Sequence, residues 1–231
     1  MSARYAIYYA PAPGSPWWQF GAHWLGRDEC KDRALTQPVL THIKPEVLRS
    51  ITSSPRRYGF HATLKAPFGL AVGRTVAQLQ SRLNMLARTL QPVAVGPLHA
   101  IALGDFLALV PTHAPEKLMQ LASACVRDLD DLRRPLEPED LARRRPKKMD
   151  ARALELLHQY GYPHVLERFR FHFSLTGPVT PESAQTVLHE VQDRVAYLNA
   201  TEPLRLDRLC LFVEPGHGQA FTRMADVELQ A

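Results

Sequence analysis

Apolar residues recur along this chain with two periods, one near 3.6 and one of 2, and the switches between them predict its elements. Residues 5–10 read as a strand, closed by the turn-forming stretch Pro11 to Pro16. Trp17, Trp18, Phe20, Trp24 and Leu25 follow on a short helix that ends at Gly26, and 45–50 form a further helical turn. A strand is expected over 57–67. Val76, Leu79, Leu83, Leu86 and Leu90 then mark an amphipathic helix within 73–90. Strands over 93–103 and 106–111 are joined by Gly104-Asp105 as a hairpin turn. Helices are expected over 115–132 and 149–160, the second stopped by Gly161 and Pro163. A strand over 168–178, a helix from Thr180-Pro181 to about Leu198, and strands over 204–213 and 220–229 complete the order.

That order repeats. In each half a strand is followed by a helix and then by a strand pair, which predicts an α+β fold of two pseudo-symmetric lobes. Each lobe is expected to be an antiparallel sheet with flanking helices, the two lobes enclosing a central cleft. The lobes would fall at about 1–112 and 161–231 of a single bilobal domain, with 113–160 as a helical connecting segment.

The repeated strands also share a sequence. Phe60-His61-Ala62-Thr63-Leu64-Lys65-Ala66-Pro67-Phe68 returns as Phe171-His172-Phe173-Ser174-Leu175-Thr176-Gly177-Pro178-Val179, every matched position differing by 111 as 61 and 172 do. Side chains alternate across a strand, so His61, Thr63 and Lys65 are expected on one face, with Phe60, Ala62 and Leu64 on the other. In the second copy Arg170, His172, Ser174 and Thr176 share a face, opposite Phe169, Phe171, Phe173 and Leu175. One face is core. The other carries imidazole, hydroxyl and cation, and duplication lets two imidazoles face one another across a cleft.

Composition narrows the setting. A chain of 231 residues with 45% hydrophobic content can bury a sizeable core. It has no apolar run of membrane-spanning length and no basic stretch leading into an extended apolar segment at Met1 to Gly14, so no membrane partner or export is expected. Cys30, Cys125 and Cys210 lie far apart and are odd in number, which argues against a disulfide framework and fits a reducing cytoplasm. The net charge of +5 suits an anionic ligand. Much of the excess sits in Arg143, Arg144, Arg145, Lys147 and Lys148, after Glu137, Glu139 and Asp140. Without interleaved aromatic residues this stretch reads as a solvated helix end or loop, not as a nucleic-acid platform.

The two His-x-Thr/Ser-x motifs, each on a strand followed by a helix and a strand pair, resemble the 2H phosphoesterase superfamily. The surroundings Arg57 to Phe68, the opening Tyr5-Ala6-Ile7-Tyr8-Tyr9 and the segment from Pro135-Leu136-Glu137 to Pro146 resemble a branch of phosphonate metabolism proteins, encoded with carbon-phosphorus lyase genes. This resemblance implies hydrolysis of cyclic or 2′,5′-linked phosphodiesters with no metal and no cofactor. Elementary chemistry agrees, because opening a cyclic phosphate with water needs one group to accept a proton and another to donate one. Imidazole titrates near neutrality, at roughly pH 6.5, and suits both tasks. His61, Thr63, His172 and Ser174 are therefore the expected catalytic residues, the hydroxyls donating to non-bridging oxygens. Lys65 and Arg170 are expected to bind substrate phosphate.

Tyr58 is a further substrate-binding candidate, provided a bulge at Gly59 turns it toward His61. Tyr5, Tyr8, Tyr9, Trp17 and Trp18 read first as aromatic core and second as the wall of a sugar or base site. The other eight histidines, His23, His99 and His217 among them, have no metal-ligand spacing. The function expected is a cyclic phosphodiesterase acting on a small-molecule phosphate ester, a small sugar or nucleoside cyclic phosphate. The alternatives are RNA-end processing or 2′,5′ ligation, which would need a basic path from the cleft, and a phosphate-binding protein without turnover.

Overall fold

Caps and turns set the helices of this chain where the sequence places them. Ser15 accepts from the Trp18 amide at 3.3 Å, Pro16 fills the first helical position, and Gly26 at φ 74° closes the helix Pro16–Leu25. Thr75 and Gln78 form a reciprocal capping box that starts the helix Val76–Ala87. Asp150 caps Ala151–Tyr160, and Gly161 ends it with a left-handed φ of 75°. The computed structural model describes residues 3–137, 140–141 and 149–230. The basic stretch Arg143, Arg144, Arg145, Lys147 and Lys148 lies outside the described residues. The other helices are Pro45–Ile51, Ser53–Arg56, Glu116–Arg127 and Pro181–Thr201.

In chain order the strands are β1 (Arg4–Tyr9), β2 (Arg27–Asp28), β3 (Arg33–Ala34), β4 (Ala62–Phe68), β5 (Val93–Ala94), β6 (Leu98–Leu103), β7 (Phe106–Pro111), β8 (Phe173–Ser174), β9 (Arg205–Leu206), β10 (Arg208–Glu214) and β11 (Thr222–Glu228). They make an α+β fold with a four-stranded antiparallel sheet in the order β11-β10-β1-β4, a three-stranded one in the order β6-β7-β8, and the pairs β2-β3 and β5-β9. Gly96 at φ 83° and Pro97 divide the strand expected over 93–103 into β5 and β6.

Strand exchange governs the architecture. The first His strand, β4, shares its sheet with the C-terminal hairpin β10-β11, and the second, β8, pairs with the N-terminal hairpin β6-β7. Each large sheet thus mixes strands from both halves of the sequence, so the boundaries near 112 and 161 divide the repeat and not the sheets. Alternation along β1 makes one face of the larger sheet the main core, where Ile7 and Tyr9 join Leu209 and Leu211. Ala6, Tyr8 and Ala10 form a second buried cluster with Cys210, Phe212 and Phe221. Phe60 and Phe173 stack at 4.6 Å between ring centroids in the main core, tying the two motifs together from below. Gly21 makes room for that contact, because a Cβ there would lie 1.9 Å from the Phe60 ring.

Both His strands are shorter than the alternation predicts. The expected 57–67 begins as the tail of the helix Ser53–Arg56 and becomes strand only at Ala62, so His61 stands at its lip. The expected 168–178 is reduced to Phe173–Ser174, because Leu175 and Thr176 both donate backbone N–H to the Leu107 carbonyl and leave the ladder. Among the described residues no helix is long and apolar enough to cross a membrane.

Candidate active site

Two histidines are held in the same way by backbone two residues upstream. His61 Nδ1–H donates to the Gly59 carbonyl at 2.9 Å, and His172 Nδ1–H donates to the Arg170 carbonyl at 2.8 Å. A carbonyl only accepts, so both neutral rings carry their proton on Nδ1 and present Nε2 as a base. The Thr63 hydroxyl lies 3.3 Å from His61 Nε2 and donates to it. Burial pushes the His61 imidazole down to about 4; the Gly59 bond opposes this, and the charge on His172 adds to it. Burial also lowers His172, with the Arg170 carbonyl opposing and the Arg170 guanidinium reinforcing the shift.

The cleft has two chambers with a common wall of Thr63, Ala66, Tyr162 and His164. One, of about 480 Å³, is lined by His61, Ser174, Tyr8, Tyr58 and Arg4. The other, of about 610 Å³, is lined by His172, Arg168, Arg170 and Phe106. The first is aromatic and hydroxylic, the second cationic. Arg168 pairs with Asp150 at 2.8 Å, whereas the Arg170 side chain has no hydrogen bond or ion pair among the described residues. Arg4 is held by the buried Glu214, which Arg57 also contacts.

The expected residues divide accordingly. His61, Thr63 and Ser174 line the first chamber and His172 the second, which shares Thr63. Arg170 and Tyr58 reach the cleft as expected. Gly59 supplies the turn, at φ 77°, and the Tyr58 ring lies 6.0 Å from the His61 ring. Lys65 is a correction to the sequence reading, because its ammonium donates to the Val126 carbonyl at 2.9 Å and to Asp130 at 3.0 Å and is 3% exposed. The cause is a register shift. Ile7 pairs with Lys65 but Tyr8 with Thr63, so β4 carries an extra residue between the two and the alternation changes parity. Ala66 takes the cleft-facing place that Lys65 was expected to hold. Thr176 also leaves its expected face, since it is buried and accepts the Leu107 amide N–H at 3.0 Å.

Three contributors escaped the sequence reading. Arg4 sits on β1, far from either motif. Tyr162 and His164 belong to the loop after Gly161, where only the closeness of His164 to the second motif offered a signal. Burial, Arg168, His172 and Arg170 all lower the His164 imidazole. Trp17 and Tyr9 are core, donating to the Glu202 and Arg205 carbonyls at 2.7 and 2.9 Å. Among the described residues no group of three His, Cys, Asp or Glu side chains is disposed to hold a metal ion.

The chain is thus an α+β protein with two backbone-anchored imidazoles lining adjoining chambers. The chain belongs to the family described as "Protein of unknown function (DUF1045)", which it matches over residues 63–222. It is similar to the ribose 1,5-bisphosphate phosphokinase PhnN of Janthinobacterium sp. (strain Marseille), at 35% identity over 221 residues, 94% of this chain and 49% of that protein. The protein of the same name from Laribacter hongkongensis (strain HLHK9) is 34% identical over 218 residues, 94% of this chain and 50% of that protein. The chain thus spans about half the length of the curated relatives it matches. Among solved structures, Kluyveromyces marxianus Usb1 aligns at 16% identity and a TM-score of 0.31, covering 72% of this chain and 76% of that one. Usb1 with uridine monophosphate aligns at 11% identity and 0.34, covering 96% and 98%.

Proposed function

We propose that the chain is a metal-independent cyclic phosphodiesterase of the 2H type, opening a small sugar or nucleoside cyclic phosphate by two-histidine acid and base catalysis. The observation that carries this reading is the twinned anchoring of His61 and His172 through Nδ1, which leaves proton transfer to Nε2 of each ring, that of His61 within reach of the Thr63 hydroxyl. One neutral imidazole takes a proton from water as its oxygen bonds to phosphorus. The P–O bond to one ring oxygen breaks, and the other imidazole, protonated, delivers its proton to that alkoxide. The product is an acyclic phosphomonoester, and the second proton exchange with solvent resets the pair. Thr63 and Ser174 donate to non-bridging oxygens as charge builds, and Arg170, unpaired among the described residues, adds positive potential beside His172.

The curated relatives support a phosphorylated ribose as the product class. Their names assign a kinase of ribose 1,5-bisphosphate to proteins twice this chain's length. This chain itself has no Gly-x4-Gly-Lys-Ser/Thr loop of the kind that cradles nucleotide phosphates. Hydrolysis of a ribosyl cyclic phosphate by this chain would deliver a ribose phosphate to such a kinase. Phosphonate breakdown, the setting of the branch resembled, is the proposed setting.

Phosphorus NMR of the products from a panel of cyclic phosphates, with chelator present, tests this. Ring-opened monoester should accumulate, and His61→Ala and His172→Ala should each slow it by about 10²-fold or more. No opening of any cyclic phosphate would refute the reading. Loss of activity in chelator, restored by one divalent ion, would refute its metal independence.

A further inference from the structure

The His61 chamber contains a buried phenol that the two-histidine scheme leaves without a task. Tyr8 is 1% exposed and pairs in register with Thr63 on the neighbouring strand, so their side chains rise from the same face of the sheet. Its ring stacks on the His61 imidazole, with centroids 3.8 Å apart and 28° between planes, and Phe212 packs against it at 4.9 Å. The ring is thereby fixed beside the motif.

The hydroxyl is treated differently from its neighbour's. Tyr9, on the opposite face, donates to the Arg205 carbonyl at 2.9 Å, which satisfies it. The Tyr8 hydroxyl has no hydrogen-bond partner among the described residues. It is not sealed in, since the one enclosed side-chain polar atom without a partner among them is Glu29 Oε2. The Tyr8 hydroxyl opens into the 480 Å³ chamber, where Thr63 and Ser174 also present theirs. A hydroxyl that opens onto the chamber, with no acceptor among the described residues, is left for water or for a ligand oxygen that displaces it. Burial holds this phenol well above its ordinary pKa, with Tyr58, Tyr162 and Glu214 adding to the shift and Arg4 opposing it. It stays protonated and can donate.

We propose that the Tyr8 hydroxyl donates a hydrogen bond to a non-bridging oxygen of the reacting phosphate, making Tyr8 a substrate-contacting residue alongside Thr63 and Ser174. The inference rests on the phosphodiesterase reading above. Tyr8→Phe keeps the ring on His61 and removes only the donor. With the cyclic phosphate that the wild type opens fastest, kcat should fall by about 10²-fold, while the thermal midpoint and the acid limb of the pH profile stay in place. A second measurement needs no turnover. In protein carrying ¹³Cζ-tyrosine, the resonance missing from Tyr8→Phe should shift when inorganic phosphate is added to the wild type. Unchanged kcat/KM in Tyr8→Phe overturns the inference, and so does a loss of activity without that shift, which would make Tyr8 a support for His61 only. A wild type inert toward every cyclic phosphate would sink the phosphodiesterase reading, whereas a phosphate-dependent Tyr8 shift would still support the contact.

Discussion

Gly59 joins backbone geometry to proton chemistry at a single residue. Its φ of 77° suits a residue without a side chain, and a Cβ there would sit 2.8 Å from the Glu29 Cβ, which is buried and has little room to yield. Gly59→Ala should therefore lower stability by about 1–3 kcal/mol, measured by denaturant titration, and should slow turnover by loosening the His61 anchor. A variant with wild-type stability and rate would remove Gly59 from the account. The depressed imidazoles set the pH response. His61 at about 4 and a lowered His172 place the bell of kcat/KM on the acid side of pH 6.5. Both sites are more easily protonated in the unfolded chain, so the stability they contribute is present above about pH 6.5 and is lost as pH falls toward 4. A kcat/KM optimum above pH 7 would contradict these assignments.

At the scale of elements, a one-residue bulge in β4 decides which cation serves the cleft. Strict alternation would put Lys65 beside His61 and Thr63. The register shift between Ile7 and Tyr8 rotates it inward, onto Asp130. Lys65→Met should cost about 1.5–3 kcal/mol through lost charged hydrogen bonds, with KM little changed. Arg170→Ala should do the reverse, raising KM roughly tenfold, about 1.4 kcal/mol of binding, while the thermal midpoint holds. Paired stability and Michaelis measurements on these two variants discriminate sharply, and a KM effect confined to Lys65 would return the lysine to the substrate. The second His element shows the same tension between local pattern and context. Phe169 to Leu175 alternate well enough for a long strand, yet Leu107 offers one carbonyl that draws Leu175 and Thr176 out of register.

For the whole molecule, exchange of strands between the halves makes the fold a single cooperative object. β8 depends on the N-terminal hairpin, and β1 lies between β4 from its own half and β10 from the other. Residues 1–112 and 161–231, expressed separately, should therefore fail to fold, each leaving an apolar sheet edge and half of the Phe60–Phe173 core open to water. Dispersed amide NMR spectra from either fragment alone would argue against this.

Helix positions, the repeated motif and the pairing of His61 with the Thr63 hydroxyl were legible in the sequence, whereas His172 and Ser174 line different chambers. The legible features depend on local causes: caps at Ser15 and Thr75, stops at Gly26 and Gly161, and two-residue spacing within a strand. The sequence alone also offered Arg170, two positions from His172 on the same strand face, and Tyr58 on condition that Gly59 turned it, which its φ of 77° does ahead of β4. What only the tertiary structure decided were the contacts that join distant segments: Tyr8 and Arg4 brought to His61 by β1, His164 set between the chambers, and Lys65 turned away to Asp130. Pairing register and strand exchange are fixed by hydrogen bonds between segments far apart in the chain, and no periodicity within one segment records them.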